Sequence, residues 1–206
     1  MNTVLFKAAM IASSLWLLAA CAPHVRSQFL QSGFSVQEVG KSGVTVTATT
    51  APTLLEFRQS YAALYGTGDS LSRFVSKSLA ANLGSGARVL SMDNAVAAQI
   101  SSLIDSAQQE KNNAFLKGVG TRYLIVVHDI VISQETVSTP QGQGINCVTL
   151  FKVDVWDTES GRKQTSFEVD GNESVFFLAF QTALQGSLLE ASSRTAQYLR
   201  TGNMGP

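Results

Sequence analysis

Cysteine and histidine are scarce in this sequence, which contains two of each in 206 residues. The cysteines are Cys21 and Cys147, and the histidines are His24 and His128. Zinc sites need three or four such ligands at short, regular spacings, and these four residues do not provide them. The sequence therefore predicts no metal site.

An excess of charge of either sign is also absent, because 15 basic residues balance 15 acidic ones. No basic patch or block of like charges occurs along the chain, so nothing attracts nucleic acid over long range. The signatures of nucleophile elbows and phosphate-binding loops are missing as well. We therefore expect no nucleic-acid binding, no catalytic residues, no enzyme activity and no cofactor.

Long hydrophobic runs are missing too, with one short exception near the start of the chain. Residues 8–20 are thirteen uncharged residues that follow Lys7. A membrane-spanning helix needs about 20 apolar residues, so this run is too short to span. A cation, a short apolar core and small residues at its end predict a secretory signal peptide over residues 1–20. A buried core helix is the alternative.

The end of that run, Leu18-Ala19-Ala20-Cys21, resembles the lipobox of bacterial lipoproteins. The resemblance implies cleavage between Ala20 and Cys21, a diacylglycerol on the Cys21 sulfur and an N-acyl group on its new amino terminus. Residue 22 is Ala rather than Asp, which in the enterobacterial sorting pattern implies the periplasmic face of the outer membrane. Cys147 would then have no partner in the chain, and it is interpreted as a buried strand residue, with a reactive thiol as the alternative.

The rest of the chain divides into a tether, one globular domain and a tail. The tether is predicted over 21–43, the domain over 44–200 and the tail over 201–206. Runs of β-branched residues predict strands, and apolar stripes at three- and four-residue steps predict helices. Strands are predicted over 43–50, 87–92, 122–133, 145–156 and 163–170; helices are predicted after Asp69 or Ser70, after Ser91 or Asp93 and over 173–200; a long loop is predicted over 134–144.

Residues 53–66 combine helical spacing with aromatic side chains. Phe57, Tyr61 and Tyr65 fall near one face of such a helix. Core packing and an exposed partner-binding face both remain open for this stripe.

Taken together, the elements predict an α/β (α+β) fold in a single domain. Its sheet is mixed, its last three strands form a carboxy-terminal antiparallel meander, and its helices pack on the sheet. Gly118 and Gly120 precede the central strand, and Asp157 and Gly161 form the turn of the meander. These four residues are predicted to be structural, because glycine permits positive φ and Asp can bond its own turn.

The segments FVSKSLAANLG, FLKGVGTRYLIVVHDIVIS and VTLFKVDVWDTESGRKQTSFEVDG together resemble an anticodon-binding-domain-like module. That module occurs in the TolB amino-terminal domain, in curli-secretion lipoproteins and in lipoprotein activators of penicillin-binding proteins. The resemblance implies a module that binds other envelope proteins. The chain departs from it at 134–144, which lacks the length and alternation of membrane-spanning strands, and in its short tether.

Polar residues on the predicted strands give no catalytic arrangement. His128 and Asp129 are neighbours on one strand, so alternation places them on opposite faces and excludes a dyad. His128 is expected in the core, on the face that carries Leu124, Val126, Ile130 and Ile132. Asp154 and Asp157 are interpreted as solvated charges near a turn rather than as a carboxylate pair.

These observations favour a lipid-anchored periplasmic module for binding or assembly in a cell-envelope machine, such as secretion, envelope maintenance or cell-wall synthesis. Its expected partners are the membrane, through the acyl chains, and envelope proteins, with a homo-oligomer possible. A subunit of an oligomeric secretion ring is one alternative. A small periplasmic ligand-binding protein or enzyme is the other.

Overall fold

The computed structural model describes residues 24–49, 53–55, 68–105, 113–140, 142–176 and 179–203. These residues form seven strands and five helices. The strands are β1 (Val25–Leu30), β2 (Val44–Ala48), β3 (Thr53–Leu55), β4 (Ala87–Val89), β5 (Tyr123–Thr139), β6 (Gly142–Asp157) and β7 (Arg162–Phe176). The helices are α1 (Gln37–Lys41), α2 (Gly68–Leu83), α3 (Asn94–Ile104), α4 (Asn113–Gly118) and α5 (Phe180–Thr201).

All seven strands belong to one mixed sheet with the order β1-β7-β6-β5-β2-β4, and β3 pairs with β5 beyond the end of β2. β5, β6 and β7 form the predicted antiparallel meander. β2 lies parallel to both β4 and β5. The predicted fold class, a single α/β domain with a mixed sheet and packed helices, is confirmed.

The larger core lies between one face of the sheet and helices α1, α2 and α5. α5 contributes most because its buried positions recur every three or four residues, including Leu184, Leu188 and Ala191. It lies close against β7, where Gly171 has no side chain to separate helix from strand. We call this side of the sheet the helical face.

A second, smaller core lies on the opposite face. Here α3 and α4 place Ile100, Leu103 and Leu116 against Leu124, Val126 and Trp156 of the sheet. α3 begins after Asp93, one of the two starts predicted from the sequence, and the Asp93 side chain caps the helix by accepting a hydrogen bond from the Val96 N–H at 2.8 Å.

The predicted tether differs from the structure from Val25 onward. Residues 25–30 form the edge strand β1, which pairs antiparallel with β7. Gly40 of α1 packs against Arg200, and the Gln37 amide donates to the Thr201 carbonyl at 2.6 Å. β1 could not be predicted from the sequence because only Val25 of its six residues is buried, so no alternation of apolar residues marks it.

Three further boundaries differ from the predictions. The predicted loop 134–144 continues β5 and β6, which pair out to Thr139 and Gly142. Residues 173–176 extend β7 rather than starting the last helix, and residues 53–55 form strand β3 rather than a helix. The outer parts of β5, β6 and β7 carry mostly exposed or half-buried residues, so no alternation marks them as strands. The three exposed residues of β3 are too few to show a pattern.

Two predicted ends are shifted by a residue or two. α2 begins at Gly68, before both predicted caps, and α5 includes Thr201, which was assigned to the tail. α5 then ends at Gly202, whose φ of 69° and hydrogen bond to the Tyr198 carbonyl form a left-handed cap.

Candidate functional site

A β-bulge in the central strand decides where the candidate site lies. Between His128 and Val131, β5 advances three residues while β6 advances two, from Lys152 to Leu150. Asp129 occupies this bulge with a φ of 47°. The extra residue reverses the side-chain alternation of everything that follows it.

The bulge overturns two predictions about His128. Ile130 and Ile132 join the core of the helical face, so only Leu124 and Val126 share the side of His128. Alternation was also expected to place Asp129 on the face opposite His128, but Asp129 Oδ2 lies 3.5 Å from His128 Nδ1. His128 is buried, as predicted.

Asp154 of β6 forms the centre of a buried ion cluster on this face. It is 1% exposed, which contradicts its assignment to a solvated turn. Its Oδ2 lies 2.6 Å from Lys163 Nζ on β7 and 3.4 Å from His128 Nε2 on β5. Burial alone would raise the pKa of Asp154, but the His128, Lys163 and Ser166 side chains outweigh it and hold the pKa below its usual value.

The cluster continues outward through Asp129, whose Oδ2 lies 3.2 Å from Lys152 Nζ. Desolvation would raise the pKa of Asp129, but the contacts with Lys152 and His128 lower it. These side chains therefore form a chain of contacts across three strands in the order Lys163, Asp154, His128, Asp129, Lys152. Such an arrangement fixes the position of Lys163.

Lys163 also lies over the ring of Trp156, with its Nζ 5.2 Å from the ring centroid. This cation–π contact and the bond to Asp154 hold the amine from two sides. The buried Trp156 Nε1 has no hydrogen-bond partner among the described residues. Lys163 is therefore positioned by the buried cluster while it also reaches an adjoining groove.

That groove, of about 440 Å³, runs between β1 and β7. Its lining combines an aromatic ring, two cations, two amides and a hydroxyl, from Phe29, Arg162, Lys163, Gln28, Gln31 and Ser166. Phe29 is 43% exposed and its neighbour Leu30 is 50% exposed. We call this feature the β1 groove, and with the ion cluster behind it, it is the candidate site.

Comparison with known proteins supports the fold and nothing finer. No protein-family model and no curated protein matches the chain. The hypothetical protein CT253 from Chlamydia trachomatis is similar with a TM-score of 0.50 and 12% identity, over 78% of this chain and 99% of that chain. At such identity, the likeness shows a shared fold alone.

Two further solved structures are more distant. The PelC dodecamer from Paraburkholderia phytofirmans has a TM-score of 0.42 and 12% identity, over 85% of this chain and 96% of that chain. Lipoprotein GNA1162 from Neisseria meningitidis has a TM-score of 0.32 and 14% identity, over 75% of this chain and 98% of that chain. Likenesses this weak carry no argument about function.

The turn residues predicted from the sequence lie at one end of the meander. Asp157 Oδ1 accepts hydrogen bonds from the N–H groups of Glu159 and Ser160, and its Oδ2 accepts from Arg122 at 2.9 Å. Asp157 is buried rather than solvated. Gly161 and Gly120 have φ values of 68° and 75°.

Gly118 differs from the prediction, because it ends α4 without a positive φ. Cys147 is confirmed as a buried residue of β6, and burial raises the pKa of its thiol. His24 does not belong to a tether, because its Nδ1 lies 3.0 Å from Asp170 Oδ2. The predicted sites at Ala20, Cys21, Phe57, Tyr61 and Tyr65 lie outside the described residues.

No cluster of three His, Cys, Asp or Glu side chains suited to a metal ion occurs among the described residues. Of the helices in those ranges, none combines the length and apolar character that crossing a bilayer requires. Sequence analysis missed Lys163 and Phe29, since only the pairing of β1, β6 and β7 brings them to one groove.

Proposed function

We propose that this protein is a lipid-anchored binding module of the bacterial cell envelope, held by Cys21 on the periplasmic face of the outer membrane. In this role it recognises a partner envelope protein through the β1 groove, as an accessory of a secretion, envelope-maintenance or cell-wall machine. The proposal includes no catalytic step and no cofactor besides the acyl groups on Cys21.

The observation that carries the proposal is the exposure of Phe29 and Leu30 on an edge strand beside the groove. Exposed large apolar side chains next to a concave surface are typical anchors for a partner. A register shift between Ser27 and Phe29 interrupts the ladder of β1, which disfavours indiscriminate strand addition at this edge. Recognition would therefore rest on side chains.

The charges around the groove indicate the chemistry of the partner. Arg162 is exposed at its rim, and Lys163 lies in its wall. Asp154 neutralises part of the Lys163 charge from inside the sheet, so the groove keeps an excess of about one positive charge. We therefore expect a partner segment with an apolar residue for the Phe29 surface and a carboxylate for Arg162.

The start of β1 supports a short connection to the anchor. His24 is bonded to Asp170, and only three peptide links join it to Cys21. At 3.8 Å per link the reach is roughly 11 Å, which is shorter than the predicted tether allowed. A lipid on Cys21 would hold β1 and its groove close to the membrane surface.

The anchor is tested by Cys21→Ser in the producing bacterium. We expect loss of fatty-acid labelling and loss of membrane attachment, since two or more acyl chains are what hold a lipoprotein stably. Persistence of both signals in the variant would show that the anchor assignment is wrong.

The binding surface is tested by placing a photo-crosslinking residue at position 29 of the full-length protein in cells. We expect a defined protein adduct that weakens with Arg162→Glu and persists with Lys117→Glu, which reverses an exposed cation on α4. A crosslinker at Gln197, exposed on α5, is the positional control. The same adducts at both positions, or no effect of Arg162→Glu, would contradict the proposal, and an adduct with a second copy would favour the oligomeric alternative.

A further inference from the structure

A second concave site lies at the other edge of the sheet from the β1 groove. β1 and β4 are the two ends of the strand order, and a cavity of about 380 Å³ lies beside β4. It is bounded by helix α2, by Thr47 of β2 and by the segment Leu90–Met92 that follows β4. We call it the β4 pocket.

The pocket lies where ligands are commonly bound in sheets of this kind. β2 and β4 are parallel, and the pocket is formed by Thr47, near the end of β2, and by the residues just after β4. Crevices at the carboxyl ends of parallel strands are the usual ligand positions in open α/β sheets. β4 ends at Val89, and Thr47 near the end of β2 is 1% exposed and donates its hydroxyl to Met92 Sδ at 3.7 Å within the pocket wall.

Two serines of α2 provide hydroxyl groups in the pocket. Ser72 and Ser76 are four residues apart and therefore share a side of the helix. They are 4% and 3% exposed, and both line the pocket. Because both residues line the pocket, their hydroxyls are placed to hydrogen-bond a polar group bound there.

Two cations stand beside these serines at the same helical spacing. Arg73 and Lys77 line the pocket and are exposed. Like charges four residues apart repel each other on a helix, and no acidic residue forms an ion pair with either cation in the described part of the chain. An anion between them would remove this repulsion.

The acidic residue nearest to the pocket in sequence is Asp93, directly after Met92. Its carboxylate is used elsewhere, since Oδ1 accepts the Val96 N–H and caps α3. Asp93 does not line the pocket. The lining is therefore cationic and hydroxyl-rich, with an apolar wall from Leu90 and Met92.

We propose that the β4 pocket binds a small phosphate-bearing molecule. The phosphate oxygens accept hydrogen bonds from the hydroxyls of Ser72 and Ser76. The Arg73 guanidinium can donate two parallel hydrogen bonds to a phosphate, and the Lys77 ammonium attracts it as a point charge. A cavity of this size exceeds a bare phosphate ion and suits a phosphate ester. The phosphate belongs either to a free ester or to a lipid headgroup.

The test uses the full chain and two double variants. Binding of inorganic phosphate and of glycerol 3-phosphate is measured by calorimetry, and binding to phosphatidylglycerol vesicles is measured by flotation. Arg73→Gln with Lys77→Gln should weaken binding at least tenfold. Ser72→Ala with Ser76→Ala should weaken it severalfold while leaving net charge unchanged. Lys41→Gln with Lys117→Gln removes two exposed cations on other elements and should leave binding unchanged.

The probes distinguish the two sources of phosphate. Saturable binding of glycerol 3-phosphate that both α2 double variants weaken supports a free ester. Binding to the vesicles alone, weakened by the same two variants, supports a headgroup. No binding to any probe overturns the proposal, as does binding that the control variant weakens equally. Circular dichroism melting of each variant separates these results from loss of folding, and the β1 groove is not altered by any of them.

Discussion

Asp154 and Lys163 form an ion pair across β6 and β7, with 2.6 Å between Oδ2 and Nζ. A register shift between Val155 and Trp156 creates it, because Lys163 rather than Gln164 then stands opposite Trp156. The shift brings the amine to the face that carries Asp154. A buried carboxylate thus holds the cation in the wall of the β1 groove.

Replacing Asp154 with Asn should destabilise the fold and weaken partner binding together. Lys163 would lose the carboxylate that balances its charge, and His128 would lose a carboxylate that lies 3.4 Å from its Nε2. We expect a loss of about 3 kcal/mol in the free energy of unfolding, near the low end for breaking a buried pair, because Lys163 is partly exposed. Urea unfolding at neutral pH measures it.

The matched control is Asp129→Asn, because Asn tolerates the positive φ of this position. Asp129 is 59% exposed, so its pairs with Lys152 and His128 should contribute less than about 1 kcal/mol. Equal losses of unfolding free energy in the two variants would contradict the assignment of Asp154 as the centre of the ion cluster.

Acid should affect the wild-type chain and Asp154→Asn differently. The pKa of Asp154 is lowered in the folded state. Its contribution to the free energy of unfolding is therefore complete above its pKa in the unfolded chain, about 3.9, and is lost as the pH falls through its pKa in the folded protein. Stability measured between pH 5 and pH 2 should fall more steeply for wild type than for the variant. Parallel curves would show that another carboxylate governs acid unfolding.

The sequence predicts the strands and helices whose apolar residues recur at a regular spacing and are buried in the core. β-branched residues mark β2 and β5, and apolar stripes mark α2, α3 and α5. β1 and the outer ends of β5, β6 and β7 carry polar residues on exposed faces, so no periodicity distinguishes them from loops. Two bulges define the candidate site, at Asp129 and before Trp156, and such bulges depend on pairing between distant strands.

Gly118 and Gly120 should respond oppositely to alanine, although both precede β5. A Cβ at either position meets nothing within 4 Å, and only Gly120 has a positive φ. Gly120→Ala should therefore destabilise by about 1–2 kcal/mol. Gly118→Ala should be neutral or stabilise by up to about 1 kcal/mol, because alanine favours the helix. Thermal unfolding of the two variants measures the difference. Equal effects would show that the positive φ at Gly120 does not determine the cost of the substitution.

Cys147 should be inert in the folded protein. Its side chain is fully buried, and burial raises the pKa of its thiol, so little reactive thiolate is present or accessible at neutral pH. In a Cys21→Ser background, a thiol reagent should label Cys147 only after denaturant is added. Ser85→Cys, in an exposed turn, should be labelled at once, and equally fast native labelling at both positions would refute the assignment.

Gly171→Ala should test how closely α5 lies on β7. A Cβ at Gly171 would collide with the Ser187 carbonyl oxygen and lie 2.5 Å from the Ala191 nitrogen, both of which are backbone atoms of α5. Side chains can turn away, whereas a helix backbone must move as a unit. We therefore expect a loss of about 3 kcal/mol or more, at the upper end of overpacking costs. Gly43→Ala is the control, since its nearest contact is 3.9 Å away. Urea unfolding measures the free energy of unfolding of both variants. An unchanged slope of this free energy against urea concentration would assign the loss to this contact. A Gly171→Ala variant as stable as Gly43→Ala would show that α5 does not lie so close to β7.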